Sequence, residues 1–593
     1  MKVPDFIKNR FWLDRGWVNG IPADVEIPEK PLYEVIDEAC IKYANRVAIN
    51  FYGYEISYIM LKNLSDRAAT AFVKMGVKKG DVVAIYAPNC PQFAIAYYGA
   101  MKAGATVTAI SPLFAPREVE YQLNDSGAKI LVTVEQLYPN FNAVRKNTKV
   151  EKVIVANIFG GEAKVEGDFI DFRNLFAVEP NPPKISWDVK EDLAVLQYTG
   201  GTTGLPKAAM LTHYNVVAQV YQLMPFTDVL RKWLKDESKI IKREPPYITL
   251  ELNGKIVKTF EDYYDNDYSP RVAILPWYHI YAQTVDLNSG LAVGDLLVVF
   301  ARFEPEKLLE AIEKFRVATF MGAPAIFVYY ANNPDLLKKY DLSSLIYVNN
   351  GAGPIPPEVV KKWDEATSNA VRNMLVEGYG LSEASPVTHT TFGPPFRARK
   401  IGSIGPPIPN TYAGVIDPST LEFLPLGKEG ELVISGPQVM KGYWNRPKET
   451  EEVFFYADGM KWLRTGDIAK IDEDGYFYIV DRLKDIIKYK GHSVYPREIE
   501  DVIYEHPAVQ EVCVVGIPDP EAGENIKAFV VLKQEYRGKI TEKELIEWCK
   551  ERLATYKYPR IVEFREELPK SAAGKYLRRL LREESIRKGI ANQ

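Results

Sequence analysis

Cysteine is scarce in this sequence, and the few residues that occur are far apart. Cys40, Cys90, Cys513 and Cys549 form no C-x-x-C pair. This pattern argues against both a disulfide framework and a zinc site. It fits a protein of the reducing cytoplasm, which is the location that we expect.

Long apolar runs are absent as well. The sequence contains no stretch of about 18 consecutive apolar residues, so we predict no transmembrane segment. The N-terminal stretch MKVPDFIKNRFWLDRGW carries charges where a secretory signal requires an unbroken apolar core.

Neither sign of charge dominates the chain. Lys and Arg number 74 against 78 Asp and Glu, for a formal net charge of −4 at pH 7, and no dense basic block occurs. We therefore expect no nucleic-acid partner. The length of 593 residues exceeds what one hydrophobic core fills, so at least two domains are predicted.

The N-terminal four-fifths of the chain follows an α/β pattern. VVAIYA (82–87) is an apolar strand, QFAIAYYGAMKAG (92–104) has helical periodicity, and ATVTAIS returns to strand. Such alternation predicts a mostly parallel sheet covered by helices, whose sites lie beyond the carboxyl ends of the strands. Further strands are predicted at 129–134, 153–156, 272–276, 296–300, 320–324 and 345–351.

Two segments depart from this pattern. Residues 228–271 are strongly charged and then alternate about Asn253-Gly254, which predicts a hairpin in a surface insertion. The C-terminal region has a separate α+β pattern, with Thr541 and Glu544 spaced as a capping box. We predict a large N-terminal domain (1–480) with a small β subdomain, a hinge (481–485) and a small mobile α+β domain (486–593).

A Gly- and Thr-rich loop, YTGGTTGLPK (198–207), has the composition of a phosphate-binding segment. It is not a P-loop, because Leu205 and Pro206 separate Gly204 from Lys207, and this displacement excludes a P-loop phosphotransferase. The flanking apolar runs predict a hairpin between two strands. Its glycines permit close backbone approach, and its threonines can donate to phosphate oxygens.

Four later segments carry further chemistry. They are NNGAGPIP (349–356), EGYGLSEASP (377–386), RTGDIAKIDEDGYFYIVDR (464–482) and LPKSAAGKYLRR (568–579). The first two follow apolar runs, so both loops are expected to open at the same edge of a sheet.

Together these segments resemble the adenylate-forming superfamily, which includes acyl-CoA synthetases, coumarate CoA ligases, luciferases and peptide-synthetase adenylation domains. The resemblance covers nearly the whole chain. Its motifs occur in the family's order: YTGGTTGLPK, LPWYHIY, GYGLSE, GELVISGPQVMKGYWNRPKET, RTGDIAKID, DRLKDIIKYKG, YKYPR and PKSAAGK.

The resemblance implies an ATP site with specific roles. Tyr379 would stack on adenine, Asp467 would accept from the ribose hydroxyls, and Arg482 would complete the ribose or phosphate contact. Glu383 and Thr202 would hold Mg²⁺, for which carboxylate and hydroxyl oxygens are suitable ligands. The implied nucleotide-binding set is Thr199, Gly200, Gly201, Thr202, Thr203, Gly204, Lys207, Gly351, Ala352, Gly378, Tyr379, Gly380, Ser382, Asp467, Arg482 and Lys575.

The implied reaction joins a carboxylate to AMP and then transfers the acyl group to CoA. Lys575 and Lys207 would neutralise the negative charge that opposes the meeting of two anions. The small domain would rotate about Lys484 between the two half-reactions, and Gly491 would leave room for the pantetheine arm of CoA.

The acyl pocket is expected to be apolar. Its expected walls are Trp277, His279, Tyr281, Met321, Gly322 and Gly380. His279 is also a catalytic candidate, with Lys575 and Lys207, and it either gates the tunnel or packs with a backbone partner. Gly380 stands where acetate-specific relatives have a Trp that closes the tunnel, so a longer tail is favoured.

We therefore predict an AMP-forming acyl-CoA synthetase for medium- or long-chain fatty acids, with ATP, Mg²⁺ and CoA as its small-molecule requirements. An aryl or short hydroxy acid CoA ligase is the first alternative. Others are an adenylate ligase that loads a separate carrier protein, and a silent nucleotide- or acyl-binding module. The sequence leaves the oligomeric state open.

Overall fold

The computed structural model describes residues 2–15, 17–199, 206–372, 374–570 and 576–591. Its main body is built on two eight-stranded sheets. In each, an inner set of parallel strands is bordered by antiparallel strands at one or both edges. The predicted helix-covered α/β fold is therefore confirmed.

The first sheet positions most of the candidate site. Its central strands are parallel, and the loops after Tyr347–Asn350 and Leu375–Gly380 emerge side by side, as expected from the sequence. In spatial order its strands are Val387–Thr390, Leu375–Gly380, Tyr347–Asn350, Thr319–Gly322, Pro270–Ala273, Leu296–Val299, Val47–Phe51 and Tyr54–Ser57.

The second sheet carries the Gly- and Thr-rich loop. Its apolar strand Val82–Tyr86 is buried along its whole length, which explains why its residues do not alternate with polar ones. In spatial order its strands are Gly442–Tyr443, Ala208–Thr212, Leu193–Tyr198, Thr106–Ile110, Val82–Tyr86, Ala128–Val134, Lys152–Ala156 and Ile170–Asp171.

Helices cover these sheets. The helices Tyr58–Lys74 and Pro91–Lys102 pack so closely that a Cβ on Gly99 would lie 2.8 Å from that of Ala68. The other longer helices of the main body are Leu32–Lys42, Pro116–Ser126, His213–Glu237, Pro305–Phe315, Pro324–Asn332 and Pro357–Ala366. The shorter ones are Asp5–Lys8, Phe11–Leu13, Tyr138–Asn142, Arg145–Asn147, Phe172–Phe176, Glu261–Asp265, Ile280–Ala282, Gln283–Asn288, Ser289–Ala292, Pro334–Leu337, Ser382–Ala384 and Pro447–Val453.

A five-stranded antiparallel sheet follows and brings two charged residues together. Its strands Met460–Ile471 and Phe477–Arg482 pair so that Asp467 lies opposite Arg482. The remaining strands are Tyr412–Ile416, Gly430–Ser435 and Phe454–Ala457.

The C-terminal residues form a smaller α+β unit with its own buried core. As predicted, Thr541 and Glu544 cap a helix, Glu542–Lys550, by accepting each other's backbone N–H groups. The strands are Ile487–Tyr489, His492–Val494, Val509–Asp519, Gly523–Leu532 and Ile561–Arg565, and the other helices are Pro496–Tyr504, Gln534–Tyr536 and Arg578–Ala591.

The insertion is smaller than predicted. Residues 228–237 complete the long helix His213–Glu237, and Pro270–Ala273 is a central strand of the first sheet. What is inserted is the antiparallel sheet Lys239–Glu244, Tyr247–Leu252 and Lys255–Phe260, with the short helix Glu261–Asp265. The Asn253-Gly254 hairpin is confirmed, and both turn residues have positive φ.

No helix in the described ranges combines the length and apolar character needed to cross a membrane. The four cysteines are buried and unpaired.

Candidate active site

A continuous cavity of about 1930 Å³ opens at the carboxyl ends of the first sheet's parallel strands. Residues from both eight-stranded sheets, the five-stranded sheet and the C-terminal unit line it. The cavity is larger than most small-ligand pockets, so it has room for more than one ligand group.

One end of the cavity holds a hydroxyl, a carboxylate and a guanidinium in contact. The Tyr379 hydroxyl donates to Oδ2 of Asp467 at 2.6 Å, and Nε of Arg482 lies 3.4 Å from Oδ1. The charge of Asp467 raises the pKa of Arg482. Burial, followed by the charge of Asp467, raises the pKa of Tyr379 well above its usual value. At neutral pH Tyr379 is therefore a neutral phenol and Arg482 a cation.

A second carboxylate faces the same cavity. Glu383 lies in the 3₁₀ turn Ser382–Ala384, and its Oε1 accepts a 2.7 Å hydrogen bond from the hydroxyl of Tyr443. Nζ of Lys207 lies 5.3 Å from the centre of the Tyr443 ring. Tyr443 therefore contacts both an acidic and a basic candidate residue, and the sequence analysis did not single it out.

The strands on either side of the Gly- and Thr-rich loop pair as a hairpin, as predicted. The strands Leu193–Tyr198 and Ala208–Thr212 are antiparallel, and the Thr199 N–H donates to the Lys207 carbonyl at 2.8 Å. Thr199 and Lys207 both line the cavity. The other predicted loop residues, Gly200, Gly201, Thr202, Thr203 and Gly204, lie outside the described residues.

Close packing explains two glycines of the site. A Cβ on Gly351 would lie 2.5 Å from the Tyr281 ring, so only glycine lets this ring approach the backbone. A Cβ on Gly380 would lie 2.1 Å from the Pro386 carbonyl oxygen. The neighbouring backbone therefore requires glycine at position 380, whether or not an open tunnel requires it as well. Next to them, Ala352 has a φ of 67°.

His279 begins the short helix Ile280–Ala282. Its Nδ1 accepts the backbone N–H of Tyr281 at 3.2 Å, which matches the packed alternative, while the residue also lines the cavity. The Tyr281 hydroxyl in turn donates to Oδ1 of Asn349 at 3.3 Å.

The C-terminal unit contributes one wall of the cavity. Lys570 and Tyr576 line it together with Asp467 and Glu383, whereas Lys575 lies outside the described residues. The unit is held by Arg497, whose backbone N–H and guanidinium donate to Asp481 and to the Ile479 carbonyl at 3.0 and 2.8 Å.

Lys484 follows the last strand of the five-stranded sheet, in a turn between the two units. Desolvation at the cavity wall, and then the charge of Arg482, lower the pKa of Lys484, although its side chain still reaches solvent. Gly491 lies in the exposed turn between Ile487–Tyr489 and His492–Val494, with a φ of 81°, and is not among the described residues that line the cavity.

Most of the predicted residues that the structure describes line this one cavity. They are Thr199, Lys207, His279, Tyr281, Met321, Gly351, Ala352, Gly378, Tyr379, Gly380, Ser382, Glu383, Asp467, Arg482 and Lys484.

Two expected acyl-pocket residues do not lie on the wall. Trp277 is completely buried and packs against Phe93, with ring centres 5.8 Å apart. A Cβ on Gly322 would lie 2.5 Å from the ring of Phe327, so this glycine faces the core. An apolar or small residue beside a site motif can pack in the hydrophobic core as readily as it can line a pocket.

Sequence reasoning missed a long apolar arm of the cavity. Leu223, Thr227, Leu230 and Leu234 line it from one face of the helix His213–Glu237. Their spacing of three or four residues was a readable signal of a shared helix face. The charged residues between them, Asp228, Arg231 and Lys232, concealed it.

The arrangement combines a polar end and an apolar arm. The polar end offers a carboxylate that can accept from a diol, a second carboxylate suited to a phosphate-bound cation, and a lysine. The arm offers room for a hydrocarbon chain. Such a cavity can hold a nucleotide and a fatty tail end to end.

Comparisons with known proteins agree with this geometry. Residues 36–444 match the AMP-binding enzyme family, and residues 498–575 match the AMP-binding enzyme C-terminal domain. A long-chain-fatty-acid–CoA ligase of Bacillus subtilis is 37% identical over 97% of this chain and 98% of its own.

Solved structures are also similar. ATP-bound MatB from Rhodopseudomonas palustris has a TM-score of 0.78 at 26% identity, covering 94% of this chain and 99% of its own. A long-chain-fatty-acid-CoA ligase from Archaeoglobus fulgidus has a TM-score of 0.66 at 28% identity, covering 93% and 100%. From its motifs, its cavity and these matches, the chain belongs to the AMP-binding enzyme family.

Proposed function

We propose that this protein is an AMP-forming acyl-CoA synthetase for long-chain fatty acids. The proposal depends on one observation: the Tyr379–Asp467–Arg482 cluster and the apolar arm line the same continuous cavity. The names of the similar fatty-acid–CoA ligases support the same substrate.

In the first half-reaction, a carboxylate oxygen of the acid attacks the α-phosphorus of ATP and pyrophosphate leaves. Asp467 accepts from the ribose hydroxyls and Tyr379 stacks on adenine, which fixes the α-phosphate relative to the acid. Lys207 and Lys575 offset the charge of the two approaching anions. No covalent intermediate with the enzyme is required, because positioning and electrostatic stabilisation are sufficient.

Mg²⁺ fits this site as a partner of the phosphates. Glu383 presents a carboxylate to the cavity, and oxygen ligands shared between protein and phosphate are those that Mg²⁺ takes. Among the described residues, no group of three or more His, Cys, Asp or Glu side chains forms an all-protein metal site. Glu383 and Thr202 would hold the ion, which supplies charge neutralisation.

In the second half-reaction, the thiol of CoA attacks the acyl carbon and AMP leaves. The residues 1–480 and 486–593 act as two domains, and rotation about Lys484 withdraws Lys575 and brings the Gly491 turn to the acyl adenylate. Gly491 suits this role because a Cβ there would have no atom within 4 Å and the turn is exposed. A narrow pantetheine arm can therefore pass beside it.

The test is AMP formation from ATP with a panel of acids, each assayed with and without CoA. We expect AMP and acyl-CoA in equal amounts, with hexadecanoate preferred over benzoate and short hydroxy acids. Formation of ADP would contradict the proposal. Preference for an aryl acid would move the assignment to an aryl-CoA ligase, and AMP release that CoA does not accelerate would favour a carrier protein as acceptor.

A further inference from the structure

The apolar part of the cavity runs along the helix His213–Glu237 from Leu223 to Leu234, and we call this part the acyl arm. Across from the helix, its wall comes from the first sheet. Ser269, Thr319 and Ile346 line it where three neighbouring strands begin. The acyl arm thus extends from the carboxyl ends of these strands toward their amino ends.

Charged side chains line the far end of the acyl arm. Arg231 and Arg271 both line the cavity, and both bind Asp295, which is fully buried. Nη2 of Arg231 donates to Oδ1 of Asp295 at 2.6 Å, and Nε of Arg271 donates to Oδ2 at 2.8 Å. We call this group the ion triad.

Backbone carbonyls fix the triad in place. Nη1 of Arg271 donates to the Val285 carbonyl at 2.6 Å, and Nη1 of Arg231 donates to that of Val293 at 3.2 Å. Breaking a buried pair of this kind is strongly destabilising, because it leaves an uncompensated buried charge. The triad therefore forms a rigid polar boundary to an apolar space.

The inserted sheet packs behind the same end. Ile248, Leu250 and Leu252 are fully buried and form one cluster with Leu234 and Ile346, the last two of which line the acyl arm. The opposite face of the sheet is exposed, as Ile256 shows with 55% of its surface accessible. One face of the insertion thus supports the wall of the acyl arm.

We propose that the ion triad and the inserted sheet form the floor of the acyl arm and set the longest fatty tail that the enzyme accepts. The inference rests on the proposed function. The inserted sheet is then a specificity element, because it holds Leu234 and Ile346 against the cavity.

Length and energy support this assignment. The eleven helical steps from Leu223 to Leu234 span about 16 Å, which roughly a dozen methylene groups fill in extended form. A tail that continued past the floor would displace Leu234 or separate charges of the triad. One poorly accommodated methylene changes discrimination by about tenfold or more.

The experiment measures kcat/KM for octanoate, dodecanoate, hexadecanoate and eicosanoate by CoA-dependent AMP formation. Four variants of the full chain are compared. Thr227→Phe fills the middle of the arm, Leu234→Ala removes part of the floor, and Leu250→Ala weakens its support. Ile256→Ala on the exposed face is the matched control. Ratios between acids are used because they do not depend on the folded fraction.

We expect Thr227→Phe to lower the hexadecanoate-to-octanoate ratio by about tenfold or more, because the ring excludes the longer tail. Leu234→Ala should raise the eicosanoate-to-hexadecanoate ratio, and Leu250→Ala should raise it by a smaller factor. Ile256→Ala should leave every ratio unchanged. If the unmodified enzyme is active and Leu234→Ala and Leu250→Ala both keep its ratios, the proposed floor is wrong, whatever the effect of Thr227→Phe. An unmodified enzyme that is inactive on every acid overturns the proposed function as well.

Discussion

The hydroxyl of Tyr379 donates a 2.6 Å hydrogen bond to the carboxylate of Asp467, 88 residues further along the chain. Arg482 contacts the other oxygen of the same carboxylate. Two other segments of the chain thus converge on the Asp467 carboxylate, which is the group proposed to bind the ribose.

Asp467→Asn is expected to weaken AMP binding by about tenfold or more, because it replaces a charged acceptor of two hydroxyl groups by a neutral amide. Isothermal titration with AMP measures the loss. Tyr379→Phe is the control, since it removes the hydroxyl and keeps the ring proposed to stack on adenine. An equal loss in both variants would assign the effect to the Tyr379–Asp467 hydrogen bond and not to a ribose contact.

Glu383→Gln is expected to raise the Mg²⁺ concentration needed for half-maximal pyrophosphate release, because an amide is a poorer ligand than a carboxylate for a hard cation. Tyr443→Phe removes the hydrogen bond to Glu383 and leaves its charge. The Mg²⁺ requirement of this control should shift little. If the two variants shift it equally, Glu383 serves the local structure only.

Lys575→Ala is expected to slow pyrophosphate release by about a hundredfold or more, through loss of charge stabilisation in the first half-reaction. Thioester formation from supplied acyl adenylate should continue at nearly the original rate. Lys570→Ala is the matched control, because Lys570 is five residues earlier in the sequence and pairs with Glu511 at 2.6 Å. Equal loss of both half-reactions in Lys575→Ala would contradict this division of roles.

Asp286 provides a test of stability against pH. The residue has no exposed surface, and neither carboxylate oxygen has a hydrogen-bond partner within the described ranges. Burial raises its pKa to about 8, which the charge of Arg271 offsets only in part. The folded chain therefore binds this proton more tightly than the unfolded chain. The resulting stability is present below the unfolded pKa of about 3.9 and is lost as the pH rises toward the folded value.

Asp286→Asn removes this dependence. Between the two pKa values, the slope of the unfolding free energy against pH should become less negative by about 1.4 kcal/mol per pH unit. Thermal denaturation at pH 5.5 and pH 8.5 measures the change. The variant should have the higher Tm at both pH values, by a larger margin at pH 8.5 than at pH 5.5, and an equal Tm difference at both pH values would contradict the raised pKa.

The fold was largely readable from the sequence, because buried parallel strands appear as continuous apolar runs. The stretch 82–86 is such a run, and the structure buries all of it. The insertion boundary was wrong because the charges of 231–237 were taken as a sign of a surface segment. In the structure Lys232, Asp236 and Glu237 are exposed on a helix whose Leu230 and Trp233 are buried, and Arg231 lines the cavity.

The candidate site was only partly readable. Motifs identified Tyr379, Asp467 and Glu383, but nothing local to any of them reveals the distances between them. Tyr443 was missed because its role depends on a strand pairing with Ala209 across the second sheet. Trp277 was misassigned because a sequence does not distinguish an aromatic that lines a pocket from one that fills the core.

The pairing of Asp467 with Arg482 has a mechanical consequence. The backbone hydrogen bonding between these two strands continues one residue beyond Arg482, since the Leu483 N–H donates to the Gly466 carbonyl at 2.9 Å. A rotation that begins at Lys484 therefore leaves every backbone bond of this pairing intact. In the proposed mechanism, the C-terminal unit would then exchange one face for another while Asp467 and Arg482 keep their positions at the ribose, so the activated acid would not be released between its formation and its use.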